Sequence, residues 1–453
     1  MNNGRSLCAL SLLTIANGLA IGGPDLICSE ISSATNFGFV DDKVAYSFGT
    51  TVCNIGDEPL DWVANTNQHP LISQTLYKLK DHQITQIGIG FVRHTIIPLQ
   101  SNACNLVCTP AAGFESLGAG CSSANASSVN GAQTQMGPRS EVDAFTGDFP
   151  YPFTSIGQTG DAIYKRLQVD LADVSDPDAL YFVETQVITS GETTPETRAN
   201  NASYRQVMFS PGSASATLTG PTYTEQAAIF AWRDHGNGIG LPDSDVMITE
   251  ITIPGDGIIH AGSKATDLDD GTYRYDYAIH NQNAHRSIGS ALIAIGFNQS
   301  VTSHTFNNVD YHDDLDVLID STEWSVGAIN GEVLRNTLED FDTNPLGNAV
   351  RWGTTYSFSF VSSNVPVNKA MQIGFFAPGD IGDPDSMIVG VVAPQSGPCI
   401  ADMDGDPQLN FFDISAFLSA YANMNLNADF NGDGQFNFFD VSVFLTAFTA
   451  GCP

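Results

Sequence analysis

Near its C-terminus the chain carries a twelve-residue segment in which oxygen-bearing side chains recur at fixed spacings. They occupy positions 1, 3, 5, 7, 9 and 12 of the segment, and they are Asp429, Asn431, Asp433, Gln435, Asn437 and Asp440. Such side chains converge on one centre when the backbone curls around a hard cation, and calcium takes about six to eight oxygen ligands. Gly434 stands at position 6, where the loop must turn sharply. The segment therefore predicts a Ca²⁺ site, in which Gln435 contributes its backbone carbonyl and Asn437 can act through water.

An equivalent segment begins 27 residues earlier, so the pattern is an internal repeat. Its corresponding residues are Asp402, Asp404, Asp406, Gln408, Asn410 and Asp413. Pro407 replaces the glycine of position 6, and proline cannot take the positive φ that this position favours. We therefore expect the first site to bind calcium more weakly than the second. An acidic turn with accidental spacing is the alternative interpretation, but the duplication favours metal binding.

Each segment continues into apolar residues spaced three and four positions apart, which predicts one helix after each loop. These residues are Ile414, Phe417, Leu418 and Tyr421 in the first unit and Val441, Phe444, Leu445 and Phe448 in the second. Residues 398–453, which we name the C-terminal module, contain seven Asp and no Glu, Lys or Arg. Repulsion among these carboxylates should oppose folding of the module until cations bind.

Two calcium loops with Asp at the twelfth position, each followed by one helix, resemble the type I dockerin modules. The final residues Ala450-Gly451-Cys452-Pro453 are similar to the ends of the Gly-Cys-terminated dockerins of large secreted planctomycete proteins. The resemblance covers residues 398–453. It implies calcium binding and a docking partner, which would be a cohesin-like protein or another component of the cell envelope.

Dockerins contact cohesins largely through small hydroxyl residues at loop positions 10 and 11. Here these positions hold Phe411-Phe412 in the first loop and Phe438-Phe439 in the second. Two interpretations of the four rings stay open. They can pack in the core between the two helices, which is the interpretation we favour, or they can form an exposed docking patch.

The eight cysteines are widely spaced and form no Cys-x-x-Cys pair, which favours disulfides over a zinc or redox site. Cys28 is the predicted unpaired thiol. Two further bridges are expected around residues 102–122, from Cys53, Cys104, Cys108 and Cys121. A pseudo-twofold pair of loop-helix units would bring the ends of the C-terminal module together, which predicts a Cys399–Cys452 disulfide. The alternative is that either of these two thiols pairs with Cys28.

The N-terminal residues have the three parts of a secretory signal peptide. Arg5 provides a positive charge, residues 7–15 are apolar, and residues 18–20 are a small-residue cleavage site. The apolar run is shorter than the roughly 20 residues that a membrane-spanning helix needs, and no later stretch is long enough either. Residues 1–20 are therefore predicted to be a signal peptide, although a buried first strand or a membrane anchor is the alternative. The protein is predicted to be secreted, extracellular or at the cell surface, without a transmembrane segment.

Charge and hydrophobicity exclude two broad classes of protein. Among 453 residues, 50 Asp and Glu face 17 Lys and Arg, so the formal net charge is −33. Nucleic-acid binding depends on clustered cations, which this chain does not have. The hydrophobic content of 42% is enough to offset the entropy of ordering, so the chain is globular and not disordered.

Between residues 30 and 395 the dominant hydrophobic period is two, which predicts half-buried strands. The clearest alternations lie at residues 273–279 and 350–360, and shorter runs at 44–48, 167–171, 180–187, 246–253, 292–297 and 371–375. Turns rich in Gly, Pro, Asn and Asp separate them, as in antiparallel β proteins. The predicted fold is mainly β, with two antiparallel β-sandwich or jelly-roll-like domains at 24–240 and 246–395. A linker at 234–245 joins them, and the small helical module at 398–453 follows.

Other acidic and histidine residues are weaker candidates for chemistry. The segment Glu141-Val142-Asp143-Ala144-Phe145-Thr146 is similar to the catalytic strand of one family of jelly-roll glycosidases, but Thr146 stands where the catalytic acid should be, and a solvated strand or turn is favoured. A transition metal could bind at His280, His285, His304 and His312, although ordinary polar histidines are the favoured interpretation. Structural calcium could bind at Asp267, Asp269 and Asp270 or at Asp313, Asp314 and Asp316, with solvated turns favoured.

The sequence as a whole predicts a secreted or cell-surface calcium-binding protein whose β domains have a structural or binding role. The alternative is a dockerin-bearing enzyme of polysaccharide catabolism, a glycoside hydrolase with polysaccharide as its partner. That alternative requires two carboxylates about 5–9 Å apart. It also requires a β-sheet groove lined by Trp62, Trp232 or Trp352.

Overall fold

A computed structural model of the chain describes residues 22–296, 299–311, 319–329, 331–396, 399–405 and 408–451. Antiparallel strands dominate these ranges, which confirms the predicted mainly β fold. The predicted signal peptide, residues 1–20, lies outside the described residues. Within them the helices are short: α1 (Ser127–Asn130), α2 (Pro195–Ala199), α3 (Phe230–His235), α4 (Phe411–Ala422) and α5 (Phe438–Ala450). Three 3-10 turns lie at Gln133–Gln135, Arg139–Glu141 and Leu426–Ala428.

The N-terminal half of the described chain forms one large antiparallel sheet. Its strands are β1 (Leu26–Val40), β2 (Lys43–Asn54), β4 (Leu71–Lys80), β5 (Gln83–Ile89), β6 (Val92–His94), β8 (Ser122–Asn125), β9 (Met136–Gly137), β10 (Leu167–Asp170), β11 (Leu180–Ile188), β12 (Ala202–Phe209) and β13 (Ala216–Tyr223). The main order is β1-β2-β10-β5-β4-β11-β12-β13, and β6, β8 and β9 pair beside it. A separate ribbon is made by β3 (Leu60–Asp61) and β7 (Ser116–Leu117).

This sheet curls until its first and last strands meet. The amide of Ile31 on β1 donates to Thr222 Oγ1 on β13 at 3.0 Å. The carbonyl of Ile31 accepts from Arg205 Nη1 on β12 at 2.6 Å. The curled sheet therefore encloses its own core, in which Phe48 and Val183 are completely buried.

The chain from residue 247 to residue 394 forms two five-stranded sheets. The strands are β14 (Met247–Thr252), β15 (Ile258–Asp267), β16 (Tyr273–Asn281), β17 (Ile288–Ala294), β18 (Thr302–Asn307), β19 (Ser325–Ile329), β20 (Glu332–Asn336), β21 (Thr354–Ser362), β22 (Pro366–Phe375) and β23 (Ser386–Pro394). One sheet has the order β14-β15-β16-β21-β18 and the other β19-β20-β17-β22-β23. Buried residues of both sheets, such as Tyr277 and Met371, share one core. This face-to-face pair is a β-sandwich, as predicted, and we call it the sandwich below.

The strands predicted at residues 273–279 and 350–360 are β16 and most of β21, but they are buried on both faces, not on one. Their aromatic face points into the sandwich, where Tyr277 pairs with Phe358. Their polar face packs on the curled sheet, because Gln86 accepts from the Thr355 amide at 2.7 Å and Ile84 O from Ser357 Oγ at 2.6 Å. Serine and threonine usually mark a solvated face. The alternation of apolar and polar residues therefore predicted burial of the aromatic face but not of the polar face.

The predicted linker at residues 234–245 is an ordered connection. Asp243 lies there with 3% exposure, and its carboxylate accepts from Lys264 Nζ of β15 at 2.5 Å. Just before it, Trp232 of α3 is completely buried and its indole donates to His82 O at 2.7 Å. The connection is therefore packed against both the curled sheet and the sandwich.

A buried arginine joins the curled sheet to the sandwich at a second point. Arg139 is 8% exposed, and it donates from Nε to Gly90 O at 2.7 Å and from Nη2 to Gln74 O at 3.1 Å. Its guanidinium lies 4.7 Å from the ring centre of Trp352, which precedes β21. The Trp352 indole donates to Arg139 O at 3.1 Å. These two side chains therefore lock the two β regions together.

The cysteines of the curled sheet form two disulfides, the number that the sequence predicts, and the structure supplies the pairing. Disulfides join Cys53 to Cys104 and Cys108 to Cys121. Cys28 is free and completely buried on β1, which confirms it as the unpaired thiol, and burial raises its pKa to about 12. A thiol in this environment stays protonated at neutral pH and is shielded from oxidants.

Two neutral histidines are packed among aromatic rings at the edge of the curled sheet. The rings of His69 and His94 lie 5.5 Å apart, and the two residues are 5% and 4% exposed. His94 also makes edge contacts with Phe149 and Phe153 at 5.3 and 5.1 Å. Burial lowers the pKa of His69 to about 4 and that of His94 to about 3.

The buried histidine pair should make the fold sensitive to acid. Unfolded imidazoles take up protons near pH 6.5, whereas the folded ones do so only near pH 3–4. The unfolded state therefore binds more protons, and each histidine should reduce the free energy of unfolding by up to about 1.4 kcal/mol per pH unit as the pH falls from 6.5 towards 4. Replacing His94 by Phe should flatten the change between pH 7 and pH 5 in urea unfolding. An unchanged pH dependence in His94→Phe would contradict this role.

Candidate metal centre

The residues that end each predicted loop also start the helix that follows it. Asn410 Oδ1 accepts from the Phe412 amide at 2.7 Å, and Asp413 Oδ2 accepts from the Asn410 amide at 2.8 Å. These are the reciprocal hydrogen bonds of a capping box, and the second unit has the same arrangement at Asn437 and Asp440. The predicted helices are therefore present as α4 and α5. Loop positions 9 and 12 are fixed in space by these helix caps.

The two units face each other around residues that are equivalent in the repeat. Phe417 and Phe444 stand 27 positions apart in the sequence, and their rings stack at 4.1 Å with an interplanar angle of 2°. Both are 1% exposed. This contact between equivalent residues agrees with the pseudo-twofold arrangement predicted for the module.

The predicted ligands of the first loop converge on one point. Carboxylate oxygens of Asp402, Asp404 and Asp413 all lie within 4.8 Å of one another. Asp413 is completely buried, and its Oδ1 accepts from the Met403 amide at 2.8 Å. Gln408 O accepts from Asn410 Nδ2 at 2.9 Å. Two residues of this loop, the predicted ligand Asp406 and Pro407, lie outside the described residues.

The second loop is held in one turn by hydrogen bonds among its predicted ligands. Asp429 Oδ2 accepts from the Gly434 amide at 2.9 Å, and Asn431 Nδ2 donates to Asp433 Oδ2 at 3.0 Å. The last ligands also belong to the turn, because Gln435 O accepts from Asn437 Nδ2 at 3.3 Å and Asp440 Oδ1 from the Asn431 amide at 3.4 Å. Gly434 has a φ of 75°, the left-handed conformation expected for position 6.

The chemistry of both loops fits a hard divalent cation. Their donors are carboxylate, amide and carbonyl oxygens, which are the ligands that calcium prefers. Asp440 is completely buried although the module has no lysine or arginine to pair with it. Burial, together with Asp440 and Asp433 nearby, raises the pKa of Asp429. A bound cation would supply a positive charge to these carboxylates and offset the cost of burying them.

The four phenylalanines at loop positions 10 and 11 are exposed, so the core-packing interpretation favoured from the sequence is wrong. Their exposures are 73%, 67%, 76% and 66% for Phe411, Phe412, Phe438 and Phe439. They occupy the first two positions of α4 and α5, whose caps turn the neighbouring asparagine and aspartate towards the loop. The core of the module is instead filled by residues five or six positions later, such as Phe417 and Phe444.

Residues near the ends of the module bear on the predicted Cys399–Cys452 disulfide. Cys399 takes part in a disulfide. Its predicted partner, Cys452, lies outside the described residues. The Cys399–Cys452 pairing therefore stays a prediction.

Among the described residues, the histidines proposed as an alternative metal site form no group that could hold an ion. His280 is completely buried in the sandwich, with Nδ1 at 2.9 Å from Thr355 Oγ1. By contrast, the side chain of His285 is 65% exposed, and His304 is exposed on β18. His312 lies outside the described residues.

The additional acidic clusters are turns where they are described. Asp267 Oδ1 accepts from the Asp269 amide at 2.9 Å, and Asp270 Oδ1 accepts from the Thr272 amide at 3.0 Å. Aspartate side chains that accept from a backbone amide two residues later are typical of turns, which is the interpretation favoured from the sequence. The other cluster, Asp313, Asp314 and Asp316, lies outside the described residues.

The features expected of a polysaccharide-cleaving groove are arranged differently. Trp62, Trp232 and Trp352 are 1%, 0% and 6% exposed, so all three are packed in the interior and do not line a groove. Asp143 Oδ1 accepts from the Thr146 amide at 3.1 Å, which places the segment similar to a glycosidase strand in a turn. The enzyme alternative requires a groove lined by at least one of these tryptophans, and none of the three lines one.

No family model matches the chain, and no curated protein matches it. Among the described helices, none combines the length and the apolar character needed to cross a membrane. The function is therefore inferred from the side-chain chemistry of the C-terminal module.

Proposed function

We propose that the protein is a secreted or cell-surface calcium-binding protein whose C-terminal module docks or retains it at the cell envelope. The observation that carries this proposal is the convergence of Asp402, Asp404 and the buried Asp413 within 4.8 Å. Export is supported by the Cys53–Cys104 and Cys108–Cys121 disulfides, which are characteristic of oxidising compartments. The two β regions have a structural or binding role in this proposal.

Calcium would be held by the duplicated loops. In the first loop Asp402, Asp404, Asp406, Gln408, Asn410 and Asp413 would bind it, and in the second Asp429, Asn431, Asp433, Gln435, Asn437 and Asp440. A bound ion supplies the positive charge that the module does not contain. The protein's own contribution is to join loop and helix, because Asp413 and Asp440 both face the loop and cap the helix. Ion binding should therefore fix the direction of α4 and α5.

The docking surface would be the four exposed phenylalanines, which we name the phenylalanine patch: Phe411, Phe412, Phe438 and Phe439. Burying one such ring in a partner is worth about 1.5–3 kcal/mol. The rings stand on the first turns of α4 and α5, so their positions depend on the calcium loops. The partner would be a cohesin-like protein or another envelope component. Its contact surface would be an apolar groove, whereas small hydroxyl residues would meet a polar surface.

Binding of the full chain to envelope fractions of the producing cells tests this proposal. We expect binding in calcium, and a loss of about tenfold or more when Phe438 and Phe439 are both replaced by serine, since two buried rings are removed. The matched control is Phe114→Ser, which changes a ring that is 67% exposed on the disulfide-bonded loop. Equal binding by the double variant and the wild type, or binding that persists unchanged in chelator, would contradict the proposal.

A further inference from the structure

The C-terminal module is seated on the sandwich through the short turn that precedes its second loop. Leu426, in the 3-10 turn between α4 and the second loop, is 2% exposed. It packs in a small cluster with Ala294 of β17 and Ala370 of β22. An aliphatic side chain buried in this way anchors the backbone three residues before the first ligand, Asp429.

Polar contacts fix the same turn in one register. Asn427 Oδ1 accepts from the Gly296 amide at 3.1 Å, and its Nδ2 donates to Gly331 O at 3.3 Å. The Leu426 amide donates to Glu332 Oε1 at 3.2 Å. Asn427 is 7% exposed, so its amide is satisfied by backbone groups of the sandwich side in a largely dry contact.

The second loop itself touches the sandwich. An added Cβ on Gly434, at loop position 6, would lie 2.6 Å from Ile388 Cγ2 of β23. Phe436, at position 8, packs against the cluster that contains Leu426. The sandwich therefore supports the loop at its sharp turn as well as before its first ligand.

The two repeat units differ at these positions. Leu426 and Asn427 of the second unit stand where the first unit has Cys399 and Ile400. Cys399 is in a disulfide, whereas Leu426 and Asn427 are in contact with the sandwich. The second loop is thus preceded by a turn that the sandwich holds.

We propose that the sandwich pre-organises the second loop, so that calcium binding at this loop and seating of the module on the sandwich stabilise each other. This inference rests on the proposed calcium binding. The physical reason is that a loop already fixed at Asn427 and Gly434 loses less conformational entropy when it closes around an ion. Coupling between two binding events is reciprocal, so calcium must also tighten the seating of the module.

One side chain of the sandwich should weaken calcium binding at the second loop. Lys369 Nζ donates to Ala294 O at 3.0 Å and to Ser396 Oγ at 2.6 Å, and it lines a cavity of about 340 Å³ together with Asp429. Its ammonium attracts the Asp429 carboxylate and would repel a calcium ion bound by that carboxylate. Removing this charge should therefore raise calcium affinity, whereas removing the seating contacts should lower it.

Calcium titration of the full chain tests the coupling. All variants carry Asp413→Ala, which disables the first loop, so that the measured affinity is that of the second loop. Asn427→Ala should weaken binding by about fivefold or more, a common strength for coupled sites. Asn423→Ala is the matched control, because Asn423 is exposed at the end of α4, and it should leave the affinity unchanged. Lys369→Met should bind calcium more tightly than its parent.

A second pair of variants keeps the test valid if Asn427→Ala fails to fold. Leu426→Ala should weaken binding, whereas Leu418→Ala, at a leucine 54% exposed on α4, should not. Hydrogen exchange of β17 and β22 checks that the sandwich is intact in each variant. Equal calcium affinity in Asn427→Ala, Leu426→Ala and their parent would overturn the coupling while leaving the proposed function standing. Absence of calcium binding in the wild-type chain would overturn the proposed function and this inference with it.

Discussion

Removal of calcium should unfold the C-terminal module of the full chain, whereas both β regions should stay folded. The module has seven Asp and no basic residue, and two of these carboxylates, Asp413 and Asp440, are completely buried. Without an ion their repulsion and desolvation oppose folding, so binding free energy is also folding free energy. In hydrogen-exchange mass spectrometry we expect α4 and α5 to lose protection in chelator. Strands β16 and β21 should exchange as before.

Single ligand variants should separate the two loops. Asp440→Ala should raise exchange in the module more than Asp413→Ala, because the first loop has Pro407 at position 6 and starts as the weaker site. Asp269→Ala, which changes an exposed turn of the sandwich, is the control and should have no effect on the module. Full protection of α4 and α5 in chelator would show that the module folds without calcium.

Replacing Arg139 by alanine should cause the largest loss of stability among single changes in the β regions. The substitution removes the side-chain donor to the Gly90 carbonyl, one of the two donors to the Gln74 carbonyl, and the partner of the Trp352 ring. Unpaired buried groups and the cavity together should lower the free energy of unfolding by about 3–5 kcal/mol. Urea unfolding followed by tryptophan fluorescence measures this difference.

The control for this experiment is Arg233→Ala. The Arg233 side chain is 41% exposed and pairs with Asp234 at 2.8 Å, so its removal should cost less than about 1 kcal/mol. A loss of similar size in both variants would mean that Arg139 has no special role between the curled sheet and the sandwich. Loss of cooperativity in Arg139→Ala alone would support its role as the lock.

Local signals in the sequence predicted the elements well. Alternation of aromatic and polar residues located β16 and β21, because one face of each strand lies in the sandwich core. The spacing of oxygen ligands located both loops and their helices, because the capping residues are the same as the ligands at positions 9 and 12. The lack of Cys-x-x-Cys pairs favoured disulfides, and the two predicted bridges and the predicted free Cys28 are present.

Contacts between distant parts of the chain could not be read in the same way. Ser357 and Thr355 have the polarity of a solvated face, yet they are buried against the curled sheet through hydrogen bonds that depend on the tertiary fold. The phenylalanine patch had the composition of a core but lies on the first turns of α4 and α5. Leu426 carried no signal that distinguishes seating on the sandwich from packing within the module.

Direct calcium binding to the duplicated loops is the central claim, and isothermal titration of the chelator-treated full chain tests it most directly. The titration should be run at about 0.15 M salt, where the Debye length is about 8 Å and diffuse attraction to the −33 charge is screened. We predict two bound calcium ions for the wild type and loss of both in the Asp413→Ala, Asp440→Ala double variant. No saturable binding in the wild type, or the same binding in the double variant, would contradict the claim.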